Sequence, residues 1–388
     1  MKGVTVESKA GQPEARKRPA GLLGGLKDHL KRRWMLYLGL AISAFFLYNI
    51  FSKMWAAMGQ VWEQLRQANY WWVIPGVAVY FVGVWARTWR WHYMLRPVQR
   101  IPLGRLFPIV CIGYMGNNVY PYRAGEVLRA YALRQKEGVN ISASLATILA
   151  ERVFDGIVML IFVFLGLPFV TDIPADWRRW VVVFTLAFFG ALVVFFLIAV
   201  SPRRTQAVYT WLIERVVPER FRRPVQNVAD RFVEGLRCLR SPRDLGMIFV
   251  TSVVIWLAET TKYWFVMHAF PFVRPFYILM LMNGVVNLFT TLPAGPGYIG
   301  TFDWPGIQVL VSTGVDSAVA TAYTFALHLA LWLPITVLGA YYSFRMRKDL
   351  AWGKAREEVS RAAHTPPAVA AGEDSPIAGG AEEGGGAR

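Results

Sequence analysis

Ionisable residues inside hydrophobic runs are the first chemistry visible in this sequence. Ala150-Glu-Arg-Val-Phe-Asp155 falls within an apolar stretch at about 141–169. Four-residue spacing sets Glu151 and Asp155 on one helical face, and Arg152 stands three before Asp155. Charges at that depth in a bilayer must face the bundle interior or a wet cavity, where they serve a ligand or brace the bundle as an ion network. Glu259 and Lys262 stand three apart in a second apolar stretch at about 245–269. Lys262 is a natural partner for Glu151 or Asp155 across the core, the alternative being a pair with Glu259 on its own helix. His328, alone in the last apolar stretch, reads as a helix–helix hydrogen bonder rather than a proton relay.

Two chain breaks add polar groups to these charges. The first is Asn117-Asn-Val-Tyr-Pro-Tyr-Arg-Ala-Gly-Glu-Val-Leu-Arg129. Pro121 and Gly125 interrupt the chain, and a helix is expected from Glu126. Arg123, Glu126 and Arg129 recur every three residues and so cluster near that helix start. Free N–H groups, a positive dipole end and two guanidiniums suit a phosphate. The alternative is an interfacial cap in which Glu126 pairs with Arg123 or Arg129. The second break carries Pro293, Gly295, Gly297, Gly300 and Asp303, a Gly/Pro turn whose backbone can approach a ligand closely. No P-loop, GxSxG or HExxH pattern occurs. The five histidines are scattered and the two cysteines form no CxxC, so neither a metal nor another cofactor is expected.

The elements that must hold these groups are membrane helices. Of 388 residues, 55% are hydrophobic and only 17% charged, which excludes an ordinary soluble enzyme and a fully disordered chain. Six stretches, at about 34–52, 70–89, 141–169, 180–200, 245–269 and 317–343, are long and apolar enough to span a bilayer. Two more, 103–121 and 276–293, contain Asn and Gly and stop at a proline. If these two enter without crossing, about 35 of the 42 Lys and Arg residues face the cytoplasm and about five face out. If both cross, the ten-arginine segment 201–243 moves outside. The positive-inside rule therefore selects six crossings, two re-entrant segments and cytoplasmic termini in the cell membrane. The net charge of +17 thus reports orientation and not nucleic-acid binding.

Each half then has three crossings, so the second half is inverted relative to the first. The breaks correspond as well: Asn117–Pro121 is followed about 25 residues later by Ala146-Thr147, and Asn287–Pro293 about 27 later by Ala320-Thr321. The expected fold is an all-α polytopic membrane protein of inverted-repeat architecture. Residues 1–32 form a basic, disordered cytoplasmic N-terminus. The repeats are 33–170 and 171–345, the second including a basic interfacial linker at 201–243, and 346–388 is a disordered tail.

These motifs resemble the flippase-like transmembrane domain of lysylphosphatidylglycerol synthases, a family that also includes stand-alone membrane proteins. The resemblance covers about residues 33–345. It rests on Asn117…Pro121-x-Arg123-x-Gly125-Glu126-x-x-Arg129, on Glu151-Arg152-x-x-Asp155 and on Pro293-x-Gly295-x-Gly297-x-x-Gly300-x-x-Asp303. The third motif departs from the family form, because Pro296 interrupts the glycines and Asp303 stands where Glu is expected. The resemblance implies lipid translocation or binding, not aminoacyl transfer, which belongs to a separate soluble domain. The lead expectation is a non-enzymatic translocator of a phosphate-bearing lipid, anionic or polyprenyl. Arg123 and Arg129 hold the phosphate, Arg152 and Lys262 attract the headgroup at mid-membrane, and Glu151, Asp155 and Glu259 balance those charges or engage an amino group. The alternatives are a lipid-modifying enzyme using the intramembrane carboxylates, and a non-transporting partner subunit of a separately encoded lipid synthase or glycosyltransferase.

Overall fold

The computed structural model describes residues 37–52, 55–120, 123–166, 202–292 and 295–347, with a few residues between 186 and 195. The expected crossing at 180–200, both expected disordered ends, and the break residues Pro121 and Pro293 lie outside or almost outside the described residues. The described residues are helical and contain no strand.

Four long helices and four short ones carry the site. In the first half, α3 (Val73–Leu95) leads to α4 (Leu103–Val119), α5 (Ala124–Glu137) and α6 (Ile141–Gly166). In the second, α9 (Pro242–Met267) leads to α10 (Phe276–Phe289), α11 (Asp303–Ser312) and α12 (Ser317–Arg345). Each half therefore reads long, short, break, short, long. The remaining helices are α1 (Tyr37–Ser52), α2 (Met58–Gln67), α7 (Pro202–Val216) and α8 (Glu219–Gly235). The last two occupy the basic linker, and α2 lies in a stretch that the sequence presents as a loop.

Packing between the halves is reciprocal. Helix α3 packs on its counterpart α9, α4 packs on α12, and α10 packs on α6. The α3–α9 pair is antiparallel: Gly76 lies against Val266, Gly83 against Ala258 and Glu259, and Arg90 bonds Ser252. The short helices form hairpins. Arg105 pairs with Glu137 at the base of α4–α5. Further along, Gly116 and Gly125 bring the helices so close that a Cβ on Gly125 would lie 1.9 Å from the Gly113 carbonyl oxygen. In α10–α11, Gly306 abuts Met282 and Val286 while Arg274 and Gly314 approach at the base. The two hairpins meet tip to tip, where the Arg123 guanidinium lies 5.8 Å from the Tyr298 ring centre. Arg123 and Tyr298 are the two non-glycine residues with positive φ among the described residues, at 52° and 59°. Such strain persists only where surrounding structure enforces it, and it clusters at functional sites.

Long helices expose apolar residues, while several charged residues are buried among apolar clusters. Leu329, Leu333, Val337 and Tyr341 form an exposed stripe at four-residue spacing along α12, and Val250, Val254 and Leu257 are exposed on α9. Arg90, Arg129, Glu151, Asp155, Glu259 and Lys262 are all buried. Helices α9 and α12 are long and apolar enough to cross a membrane. Helices α3 and α6 have comparable length, 23 and 26 residues, and carry buried Arg90, Glu151 and Asp155.

Candidate functional site

A polar cavity of about 150 Å³ lies where the hairpin tips converge. Both halves line it. Helix α3 contributes Tyr80 and Arg87, α4 contributes Tyr114, Asn117 and Asn118, and the break before α5 contributes Arg123. Arg152 and Asp155 reach it from α6, Trp256, Glu259 and Lys262 from α9, and Asn287 and Thr290 from α10. The glycine-rich turn adds Gly297 and Tyr298, and α12 adds His328 and Trp332. Of the residues singled out in the sequence, the cavity therefore gathers Asn117, Arg123, Arg152, Asp155, Glu259, Lys262, Gly297 and His328.

Two ion clusters surround it. In the first, Arg90 donates from Nη1 to Asp155 at 2.6 Å and to Ser252 at 2.9 Å, with Nη2 3.3 Å from the second Asp155 oxygen. Trp256 adds an indole N–H to Asp155 at 3.0 Å. Arg152 lies 3.5 Å from Glu126, 3.6 Å from Asp155 and 3.8 Å from Glu151, so three carboxylates converge on one guanidinium. In the second, Glu259 receives Arg87 at 2.6 Å and also pairs with Lys262. The Lys262 ammonium sits 4.5 Å from the Tyr80 ring centre. Shared carboxylates and aromatic faces make such burial tolerable, because each charge keeps an opposite partner or a π surface.

Several expectations change. Lys262 pairs with Glu259 on its own helix and not with Glu151 or Asp155, since Arg90, Arg129 and Arg152 already occupy those carboxylates. Arg129 does not face a ligand beside the α5 start. It forms a bidentate pair with Glu151 at 2.7 and 2.9 Å and stacks 3.6 Å over the Trp91 ring, away from the cavity. Helix α5 begins at Ala124, with Arg123 as its left-handed cap and Glu126 in its first turn, 3.8 Å from Arg123. Gly125 serves hairpin packing rather than a ligand. Of the second turn's predicted residues, Gly297 is the one that lines the cavity. The Gly295 amide bonds Ser43 of α1, and Gly300 lies against the Ser43 carbonyl and Phe46.

His328 and Asp303 form the second half's counterpart of Arg129–Glu151. One ring nitrogen of His328 is 2.8 Å from Asp303 and the other 2.8 Å from the Gly297 carbonyl. Asp303 in turn accepts the Gly300 amide at 2.9 Å. Asn118 ties the tip of the first hairpin to α12, donating to the Trp332 carbonyl and Thr336 while its backbone carbonyl accepts the Trp332 indole.

Sequence reasoning misses Arg87 and Arg90, which it groups with the cytoplasmic arginines of 87–105. Their three-residue spacing within Trp85-Ala-Arg-Thr-Trp-Arg-Trp91, ahead of buried Met94 and Leu95, is the available signal. It also misses Tyr114, Asn118, Tyr298 and Trp332, which only tertiary packing brings to the cavity. Removing Arg87, Arg90, Arg123 and Arg129 from the cytoplasmic group leaves the asymmetry of the basic residues intact. Among the described residues, no group of three His, Cys, Asp or Glu side chains is placed to hold a metal.

Exposed apolar helix faces around a charged cavity, enclosed by two matching helical units, define a helical membrane protein. The chain belongs to the lysylphosphatidylglycerol synthase transmembrane-region family, whose model matches residues 36–339. It is 26% identical over 302 residues to a UPF0104 membrane protein of Methanothermobacter thermautotrophicus, covering 72% of this chain and 87% of that protein. It is 22% identical to the UPF0104 membrane protein MJ1078 of Methanocaldococcus jannaschii, covering 60% and 95%. It is also 25% identical over 300 residues to the glycosyltransferase AglD of Haloferax volcanii, covering 69% of this chain and 47% of that protein. No solved structure matches the chain significantly.

Proposed function

We propose that the protein binds the phosphate headgroup of a membrane lipid in this cavity and carries it between leaflets without modifying it. The observation that carries the reading is the cavity itself, where cations from both halves face a polar space inside an apolar shell. Arg123 and Arg152 are its headgroup ligands, because both guanidiniums line the cavity and both are partly accessible. Every carboxylate lining the cavity is bound to a guanidinium or an ammonium, an arrangement suited to charge balance rather than acid–base catalysis.

The antiparallel α3–α9 pair supports an inverted repeat, since equivalent helices running in opposite directions require a two-fold axis across them. Tip-to-tip hairpins are then re-entrant segments entering from opposite faces. With the expected crossing near 180–200 this gives six spans, and the basic 201–243 linker and both termini lie in the cytoplasm. Alternate opening of the two hairpins exposes the headgroup first to one leaflet and then to the other.

The test is lipid translocation in vesicles reconstituted with the full-length protein. Arg123→Ala and Arg152→Ala are each expected to slow movement of an anionic lipid at least about tenfold, equivalent to about 1.4 kcal/mol of headgroup interaction. Unchanged rates in well-folded variants would sink the mechanism. The match to a segment of less than half of a glycosyltransferase favours a second reading, a subunit serving a separately encoded lipid enzyme. Stable co-purification with such an enzyme, together with no translocation by the protein alone, would favour that reading.

A further inference from the structure

The charge around the cavity specifies more than a phosphate-bearing lipid. Six cations belong to the described network: Arg87, Arg90, Arg123, Arg129, Arg152 and Lys262. Four carboxylates, Glu126, Glu151, Asp155 and Glu259, oppose them. Asp303 faces His328. Both His328 nitrogens lie 2.8 Å from acceptors, a carboxylate and a backbone carbonyl, and the ring satisfies both only as an imidazolium donating twice. That pair is then neutral, and the network carries two positive charges with no protein counter-charge.

The unmatched charge sits at the cavity. Arg123 and Arg152 line the space with partly accessible side chains, and their Nε atoms, like those of Arg90 and Arg129, make no hydrogen bond. Arg90 and Arg129, by contrast, hold carboxylates behind it. Guanidinium donors at such a point suit phosphate oxygens. The cavity, about 150 Å³ and partly open, has room for a phosphate among these donors.

We propose that this site is matched to a lipid phosphate monoester, a headgroup of up to two negative charges with nothing beyond the phosphate. A phosphodiester carries one charge and would leave one cation of the network unmatched. The proposal rests on the anionic-headgroup reading above and names its substrate class.

The experiment measures binding of a fluorescently tailed phosphatidic acid to the purified full-length protein in detergent, against a phosphatidylglycerol with the same tails. It is run at pH 8, above the monoester's second pKa of about 6. Phosphatidic acid is expected to bind about tenfold or more tightly than phosphatidylglycerol, from the extra charge at close range. Arg152→Gln is expected to erase most of that preference and Arg152→Lys to retain it. Arg123→Gln gives a second reading of the same loss if Arg152→Gln folds poorly. Equal binding of the two lipids overturns the monoester assignment and leaves translocation standing. Monoester preference without translocation in vesicles overturns the transport reading and leaves this one. Inorganic phosphate displacing the probe at equal concentration would assign the site to the free ion and overturn its assignment to a lipid.

Discussion

Arg90 and Arg152 share Asp155, yet the structure gives them different work. Arg90 is fully buried, bidentate to Asp155 and bonded to Ser252, and does not line the cavity. Arg152 is about a third accessible and spreads its charge over three carboxylates. Removing one partner of a buried pair strands the other, at a cost of about 3–5 kcal/mol. Arg90→Leu is therefore expected to lower the thermal unfolding midpoint in detergent sharply, whereas Arg152→Gln leaves it nearly unchanged and acts on lipid handling. Equal midpoints for the two variants would contradict this division. The sequence displays Glu151, Arg152, Asp155, Glu259 and Lys262 plainly, because charge inside an apolar run has few explanations. It does not display their pairing. Arg90 reaches Asp155 across 65 positions, a contact that α3–α6 packing creates and no local spacing announces.

At the scale of elements, Asn, Gly and Pro mark both interrupted segments, since each weakens a helix in lipid. Helix α11 is not legible in the same way: ten residues beginning Asp-Trp-Pro-Gly read as part of an outside loop. The α4–α5 hairpin depends on contact too close for any side chain at Gly125. Gly125→Ala is expected to abolish recovery of monodisperse protein, while Gly104→Ala, where no atom lies within 4 Å, is neutral by size-exclusion chromatography. Beyond the hairpins, the basic linker docks as α8 against α6, with Gly235 on the Ala143 carbonyl. Its partner α7 exposes Val208, Trp211, Leu212 and Val216 on one side, a surface suited to the lipid interface. Between α8 and α9, burial pushes the Cys238 thiol up to about 12. A thiol raised this way stays protonated at pH 8, so maleimide is expected to leave Cys238 unmodified until detergent unfolds the chain. Ready labelling of the folded protein would show that this turn is not docked.

Across the whole molecule, the halves are related by packing that sequence similarity barely reveals. In the sequence, the expectation of an inverted arrangement comes from counting basic residues, since the positive-inside rule orients each apolar stretch. Both cysteines are buried, so introduced cysteines report topology cleanly. With Glu219→Cys in the exposed linker and Val273→Cys on the opposite side, an impermeant reagent added to intact cells is expected to label only the second. Labelling of the first would reverse the orientation. Whether the cavity between the hairpin tips holds a lipid phosphate is read by mass spectrometry of lipid retained by the purified protein. One phosphate-bearing lipid is expected to be enriched over the bulk membrane in the wild-type protein and lost from a well-folded Arg152→Gln variant. A retained lipid profile matching the bulk membrane, or one identical in the two proteins, would contradict that expectation.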